Sequence, residues 1–172
     1  FISDITSMGY TYYEMCNAYG INVIISKYPI IKKKIIKLVK DPVKNRNRYA
    51  ILAHLEIDSK ILKIALTHLD PFDQTVQTKR EQISQILSKI DSAYILMGDF
   101  NLTSNSELFP IIGRNFYESF SVLDKPSPVT SWIMKQIDFI FIGEDFEYFL
   151  MNSNSYNSDA SDHCCIYVDI TL

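Results

Sequence analysis

The chain has 172 residues, of which 47% are hydrophobic and 22% charged, a composition that suits one globular domain with a full hydrophobic core. No uncharged apolar run approaches the roughly 20 residues of a membrane-spanning helix, which argues against a membrane protein. The three cysteines form neither a disulfide framework nor a CxxC metal site, so we expect an intracellular protein of the cytoplasm or nucleus.

The net charge of −3 conceals a strongly basic segment. Residues 27–48 carry nine basic side chains and one acidic side chain, a net charge of +8, and the rest of the chain carries −11. A solvated pair of strands and a loop explains such a segment. A surface that attracts a polyanion such as nucleic acid is the other interpretation, although the segment lacks the aromatic ladder that stacks bases.

The first half of the chain alternates apolar and polar residues at strand spacing. Over 49–57 every second residue is apolar, a turn follows at 58–60, and the alternation resumes to His68. The elements predicted here are strands at 21–26 and 35–39, a loop at 41–48, and a hairpin of strands at 49–57 and 62–68.

The second half combines one amphipathic helix with short apolar strands. Apolar residues between 83 and 90 recur at the three- and four-residue spacing of a buried helical stripe. The elements predicted here are helices at 74–90 and 105–112, strands at 94–97, 137–142 and 164–170, and a loop over the Asn- and Ser-rich stretch 152–162.

Histidine, carboxylate and amide side chains stand at the ends of two predicted strands. His68 closes the hairpin, and Asp99 and Asn101 follow the strand at 94–97. A spacing of two residues puts Asp99 and Asn101 on one side of an extended chain. An aspartate can move a proton or bind a hard cation, and an amide can hold a phosphate oxygen. A polar strand end and a common Gly-Asp turn are the structural alternatives.

Two further segments carry acidic and imidazole groups. Asp138 is the single carboxylate of an apolar strand, and a buried charge is costly unless it is paired. Asp162 and His163 precede the last predicted strand, and as neighbours in sequence they point to different sides. We therefore predict that His163 pairs with Asp138, which fixes the imidazole tautomer and favours its charged form, and that Asp162 faces a metal.

In this order the segments resemble the motifs of the endonuclease/exonuclease/phosphatase superfamily, and the resemblance covers nearly the whole chain. The segment 20–30 is similar to the strand "GNAILSRYPI" of that family. The other similar stretches are Thr67 to Asp70 with Arg80 and Gln82 ("THLD…R…Q"), Gly98 to Asn101 (GDxN), Ile137 to Phe141 ("IDYIF") and Ser161 to His163 ("SDH").

This resemblance implies a fold and a position within it. The fold class is α/β, a four-layer, DNase I-like sandwich of two mostly antiparallel β-sheets flanked by helices. Residues 1–172 would be the C-terminal portion of one such domain, lacking its first strands. The asparagine and glutamate of the first two family motifs would precede Phe1, and the glutamate is the main metal ligand. We therefore expect the 172 residues alone to be inactive or nearly so.

The resemblance also implies catalytic roles. His163 would contact the scissile phosphate, as general base or as a stabiliser of the transition state, and Asp138 would orient it. Asp99 would position or deprotonate the attacking water, or protonate the leaving group. The reaction is attack of water on phosphorus, with the added negative charge stabilised by a cation and by hydrogen-bond donors.

Phosphate and metal binding complete the implied site. His68 and Asn101 would hold phosphate oxygens, and His68 would also be a catalytic residue. Asp162 and Asp99 would bind the cation, Mg²⁺ or Mn²⁺. The implied partner is a phosphate ester, nucleic acid included, and we expect a monomer.

Three functions remain open at this point. The first is a phosphatase or a phosphodiesterase such as a nuclease. Thr130-Ser131-Trp132 and Thr67 to Asp70 are somewhat similar to the second type of tyrosyl-DNA phosphodiesterase and its relatives. The second is a binding module that keeps the fold without catalysis. The third is a thiol-based redox or metal protein that uses Cys164 and Cys165.

Overall fold

The computed structural model describes residues 2–16, 22–40, 42–72, 76–146 and 149–171. The helices in these ranges are α1 (Ile2–Ser7), α2 (Gln77–Leu87), α3 (Phe109–Ile112) and α4 (Ser119–Val122). The strands are β1 (Tyr12–Cys16), β2 (Asn22–Ser26), β3 (Ile30–Leu38), β4 (Arg48–Ile57), β5 (Lys60–His68), β6 (Tyr94–Asp99), β7 (Phe116–Glu118), β8 (Asp138–Gly143), β9 (Phe149–Tyr156) and β10 (Cys165–Thr171).

A six-stranded mixed sheet organises the described residues, in the order β3-β4-β5-β6-β8-β7. The strands β4 and β5 form an antiparallel hairpin, and its two-residue turn places Asp58 and Ser59 at positive φ, as tight hairpin turns require. Helix α2 connects β5 to β6, and these two strands run parallel. This crossover brings the carboxyl ends of β5 and β6 to the same edge of the sheet.

The central sheet is buried on both faces. One face packs against α2 and α3 through a cluster that includes Ile83, Ile112 and Phe139. The opposite face, which carries Ile51 and Ile140, packs against two smaller sheets, β1-β2 and β10-β9. Both sets of alternating side chains on β4 are therefore buried, although the sequence pattern indicated one buried face.

The α/β class, with a large sheet packed against smaller sheets and few helices, is confirmed. The predicted hairpin and the strands at 94–97, 137–142 and 164–170 are present to within two residues at each end. The predicted helices are shorter than expected, at 77–87 and 109–112. Residues 21, 41, 74 and 75 of the predicted elements lie outside the described residues.

The loop predicted over 152–162 is wrong in its first part. Residues 149–156 form β9, which pairs with β10 along its length. The polar side chains concealed the strand, since β9 is held by backbone hydrogen bonds to β10 and buries only Ser153 fully. The strands β1 and β7 and the helices α1 and α4 were not predicted either.

Four of the nine basic side chains of the segment lie on β3, an edge strand of the central sheet. Its lysines at 32, 33, 34 and 37 are exposed, and charged side chains on an edge strand oppose pairing with another chain. The interpretation as a solvated strand therefore accounts for this part of the segment. Of the helices in the described ranges, none has the length and hydropathy needed to span a membrane.

Candidate active site

Strand register places three of the predicted site residues side by side. His68 is the parallel partner of Asp99, and Asp99 is the antiparallel partner of Asp138. Directly opposed residues project to the same face of a sheet, and neighbouring strands lie about 4.8 Å apart. One imidazole and two carboxylates thus form a row across the ends of β5, β6 and β8, which we call the strand-end row.

Gly98 allows β6 to approach β5 at this row. Its φ is +138°, and a Cβ at this position would lie 1.9 Å from the carbonyl oxygen of Thr67. Glycine is therefore required here, because both the left-handed φ and the contact exclude a side chain. The GDxN motif begins at a point where two backbones touch, immediately before Asp99.

The backbone turns directly after Asp99. Asn101 has a φ of 49°, and its N–H donates to Oδ1 of Asp99 at 2.8 Å. The side-chain Nδ2 of Asn101 donates to the carbonyl of Leu69 at 3.2 Å, which joins the turn to the end of β5. The amide predicted to hold a phosphate oxygen thus lies beside His68 and Asp99, with one of its two N–H groups already bonded to the backbone.

His163 reaches the row from a separate segment. Its ring Nδ1 lies 2.8 Å from Oδ2 of Asp138, so the predicted carboxylate–imidazole pair is present. The pair is only partly buried, with side-chain exposures of 30% for His163 and 17% for Asp138. The carboxylate accepts the Nδ1 proton, and this leaves Nε2 as the ring nitrogen available to a substrate.

A buried threonine holds this segment in place. The hydroxyl oxygen of Thr130 accepts from the N–H groups of Ile137 and Asp138, at 3.0 and 3.1 Å. The carbonyl of Thr130 accepts from the N–H of Cys164 at 3.0 Å. Thr130 therefore connects the backbone at Asp138 to the backbone beside His163. We did not predict this role, because one threonine in a loop carries no periodic signal.

The environment shifts the pKa of His163 upward. Burial alone lowers it, but the hydrogen bond and charge of Asp138, with the charges of Asp99 and Asp162, outweigh burial. Asp99 shows the reverse balance: burial raises its pKa, and the charges of His68 and His163 and the Asn101 hydrogen bond only partly offset this. The two pKa values therefore both move toward neutrality, where acid–base groups work best.

His68 has a different balance of charges. Its Nε2 lies 3.5 Å from Oδ2 of Asp99, too long for a good hydrogen bond. Burial lowers the pKa of His68, Asp99 opposes that effect, and Arg48 and His163 add to it. Arg48, a buried residue at the start of β4, therefore places positive charge close to the row. Its position could not be predicted, because it depends on the pairing of β4 with β5.

The described residues contain one group of side chains that could hold a metal ion, formed by Asp99, Asp138 and His163. One potential ligand atom from each lies within 4.8 Å of the others. Asp162, predicted as a ligand, is exposed and is not a member of this group. Its carbonyl accepts from the N–H of Trp132 at 3.0 Å, which anchors the segment.

The donor set suits a hard divalent cation that keeps most of its water. One oxygen of Asp99 already accepts a backbone N–H, and Asp138 is paired with His163. This leaves one or two carboxylate oxygens rather than a full protein cage. Mg²⁺ is commonly bound in this way, through one or two carboxylates, water and substrate phosphate.

The sequence matches no protein-family model and no curated protein. The structure is similar to an endonuclease/exonuclease/phosphatase from Beutenbergia cavernae DSM 12333 (TM-score 0.78, 15% identity, 98% of this chain and 55% of that one). It is also similar to D. rerio TDP2 complexed with a single-strand DNA product (0.74, 15%, 98% and 80%). A third similar structure is the mannosyl-6-phosphatase Bt3783 of Bacteroides thetaiotaomicron VPI-5482 (0.65, 15%, 99% and 81%).

These likenesses establish the fold. The chain has the DNase I-like fold of endonuclease/exonuclease/phosphatase structures, and the match extends over nearly all of its length. The chain spans little more than half the length of the Beutenbergia cavernae protein.

Proposed function

We propose that this chain forms the catalytic centre of a divalent-metal-dependent phosphoesterase that hydrolyses a phosphodiester or phosphomonoester by attack of an activated water. The observation that carries the proposal is the strand-end row, with the His163–Asp138 pair joined to it. The similar structures support a hydrolase of phosphate esters, since they include a phosphatase and a protein holding a DNA product.

In this proposal His163 acts on the scissile phosphate. Asp138 holds the Nδ1 proton and so directs Nε2 toward the substrate. Because the pKa of His163 is raised, the ring is protonated to a greater extent at a given pH than an ordinary histidine. A charged N–H donor directed at a phosphate oxygen is stronger than a neutral one and stabilises charge that develops in the transition state.

Asp99 is the group that we assign to the attacking water. It lies between His68 and Asp138 in the row, and only 17% of its side chain is exposed. Its raised pKa makes the carboxylate a better base than an exposed aspartate. The hydrogen bond from the backbone N–H of Asn101 fixes one oxygen, so the other can accept a proton in a defined direction.

His68 and Asn101 are assigned to the phosphate oxygens. Both lie beside Asp99, and both side chains carry N–H groups. The positive charge of Arg48 behind His68 favours an anion at this position. Positioned donors of this kind cost no reorganisation when the negative charge on phosphorus increases.

Asp99 and Asp162 are the residues that we assign to Mg²⁺ or Mn²⁺. When bound, the cation supplies a Lewis acid that neutralises negative charge on the phosphate. Asp99 belongs to the group of candidate ligands in the structure. Asp162 is assigned by resemblance to the SDH motif, and its exposed position beside His163 is compatible with a ligand reached through water.

We further propose nucleic acid as a substrate class and a monomer as the working form, in the cytoplasm or nucleus. The free thiols of all three cysteines are compatible with a reducing compartment. The similar structure that holds a single-strand DNA product supports nucleic acid.

The test is a hydrolysis assay with DNA, RNA and bis(p-nitrophenyl) phosphate. Each substrate is incubated with Mg²⁺, with Mn²⁺ and with chelator, using the 172-residue chain and a chain extended upstream of Phe1. We expect turnover that requires a cation in the extended chain, and little or none in the 172 residues alone. If neither form hydrolyses any phosphate ester, or if chelator has no effect on hydrolysis, the proposal is wrong.

A further inference from the structure

Two basic side chains lie over one aromatic ring, in the segment that follows His68. Nζ of Lys44 is 5.9 Å from the centre of the Phe72 ring, and the guanidinium carbon of Arg46 is 5.5 Å from it. Both distances are within the range of cation–π attraction. Phe72 thus gathers two positive charges at one place on the surface. We call these three side chains the cation clamp.

The clamp is tied to the site through the segment after His68. The N–H of Phe72 donates to Oδ1 of Asp70 at 3.0 Å, and the N–H of Asp70 donates to the buried side chain of Gln82 at 2.9 Å. Asp70 is itself fully buried. The backbone that carries the Phe72 ring, four residues after His68, is therefore held by hydrogen bonds.

The other half of the clamp is equally close along the chain. Arg46 precedes by two residues Arg48, whose charge acts on His68. Four residues of extended chain span at most about 14 Å, so the backbone of Phe72 lies within that distance of His68. One strand of a nucleic acid helix carries a phosphate about every 3.4 Å along its axis. The backbone of Phe72 is therefore within about four phosphate spacings of a phosphate held at His68.

We propose that Lys44 and Arg46, held over Phe72, form a second phosphate-binding subsite that engages a nucleic acid strand near its scissile phosphate. This inference rests on the proposed function, because it extends the same substrate away from the same site. The subsite serves substrates with several linked phosphates and contributes little to a substrate with one phosphate.

Charge complementarity supports this occupant. The strand-end row holds two carboxylates, so it does not attract a polyanion by net charge alone. Lys44, which is exposed, and Arg46, which is partly buried, add positive charge over Phe72, in the segment that follows His68. An Arg and a Lys placed together suit phosphate oxygens, and the guanidinium can donate two parallel hydrogen bonds.

Binding of a labelled oligothymidylate of about twelve nucleotides, measured by fluorescence anisotropy in chelator, tests the subsite. The double variant Lys44→Ala/Arg46→Ala is compared with the wild-type chain between about 50 and 200 mM salt. We expect the double variant to bind about tenfold more weakly than the wild type. We also expect the slope of log affinity against log salt concentration to be less steep by about 1.4, which is about 0.7 for each of two lost phosphate contacts. Binding in chelator needs no turnover, so failure here is distinguishable from absence of hydrolysis.

The matched control is Lys32→Ala/Lys60→Ala, which removes the same charge at the far end of the sheet. Lys32 pairs with His54, six residues along β4 from Arg48, and Lys60 begins β5, eight residues before His68. We expect this control to bind within about twofold of the wild type, since both sites lie roughly 20 Å or more from the row.

A third variant separates the ring from the charges. Phe72→Leu keeps an apolar side chain but removes the cation–π contacts, and we expect a smaller loss, of about threefold. Equal weakening in both double variants, or no binding by the wild type, would overturn the subsite. A loss seen with inorganic polyphosphate but not with oligothymidylate would overturn the assignment to nucleic acid.

Discussion

The His163–Asp138 pair determines which protonation states are available at the site. The same carboxylate holds the imidazole in place and raises its pKa. Burial depresses the pKa of His68 and of His54, the other two histidines of the chain. His163 should therefore titrate above the ordinary histidine pKa of about 6.5, and the other two rings below it.

Asp138→Asn should move the titration of His163 to lower pH. The substitution removes the charge and the accepting carboxylate that raise the pKa, while burial, which lowers it, remains. Proton NMR of the imidazole resonances, recorded in chelator across the acid-to-alkaline range, measures all three pKa values. An unchanged His163 titration in the variant would contradict the pairing, and an unchanged titration of His54 serves as the internal control.

The sign of the stability effect follows from the raised pKa. The stability that ionised His163 contributes is fully present below its unfolded pKa, and it is lost as pH rises through the folded pKa. His68 and His54 act in the opposite direction, because their lowered pKa values favour the neutral ring and stability is lost as pH falls. The difference in stability between wild type and Asp138→Asn should therefore be larger in mild acid than in alkali.

At the residue scale, the sequence predicted the pairing of two candidate catalytic side chains, but not the residues that hold or surround that pair. Asp138 stood out because a carboxylate in an apolar strand needs a partner, and His163 was the natural one. Thr130 and Arg48 gave no such signal. Their importance depends on where a loop returns and on which strand pairs with which, and these are properties of the folded chain.

Gly98 shows how an element positions the site. Gly98→Ala would place a Cβ 1.9 Å from a backbone oxygen of β5, so the two strands would have to separate. We expect a loss of stability of about 3 kcal/mol or more, measured by urea denaturation. The asparagine and aspartate that follow would lose their register with β5.

The matched control is Gly113→Ala at the end of α3. A Cβ there meets nothing closer than 3.5 Å, and the φ of −64° suits any residue. Its stability should change by less than about 1 kcal/mol. Similar losses in the two variants would show that the contact between β5 and β6 at Gly98 is looser than described.

Gln82 joins three elements behind the row. Its side chain is fully buried, accepts from the N–H of Asp70 and donates to the carbonyl of Val39, both at 2.9 Å. Gln82→Met keeps the length of the side chain but leaves two buried backbone groups unsatisfied. We expect a loss of about 2–6 kcal/mol, at about 1–3 kcal/mol for each of the two groups.

The control for this prediction is Gln77→Met, an exposed position on the same helix that bonds only to Glu81 in the next turn. Its effect should remain within about 0.5 kcal/mol. Amide hydrogen exchange adds a local readout, because Asp70 should lose protection in Gln82→Met alone. A protected Asp70 amide in that variant would contradict the assigned hydrogen bond.

At the element scale, the spacing of apolar residues predicted those strands and helices that bury a regular stripe of apolar side chains. The hairpin and α2 have alternating or helical stripes of apolar residues that become buried. The strand β9 lacks such a stripe, since its residues are mostly Asn, Ser and exposed apolar side chains. Its pairing with β10 is a long-range backbone interaction, and no local pattern reports it.

At the scale of the whole molecule, the site is a product of strand order. His68, Asp99 and Asp138 lie far apart in sequence and meet because β5, β6 and β8 are neighbours in register. The order of the motifs predicted the fold, but it could not place Asp162 relative to the other candidate ligands. That arrangement depends on the loop between β9 and β10, which is set by contacts with Thr130 and Trp132.

The central claim is that the strand-end row hydrolyses phosphate esters. Its most direct test is the effect of Asp99→Asn on Mg²⁺-dependent kcat/KM. The control is Asp91→Asn, an exposed aspartate that pairs with Lys63 at the opposite end of the sheet. The assay uses whichever of the 172-residue chain and a chain extended upstream of Phe1 shows Mg²⁺-dependent turnover. We predict a loss of about 10²–10⁴-fold for Asp99→Asn, as for removal of an acid–base group, and wild-type rates for Asp91→Asn. Full activity in Asp99→Asn would contradict the account.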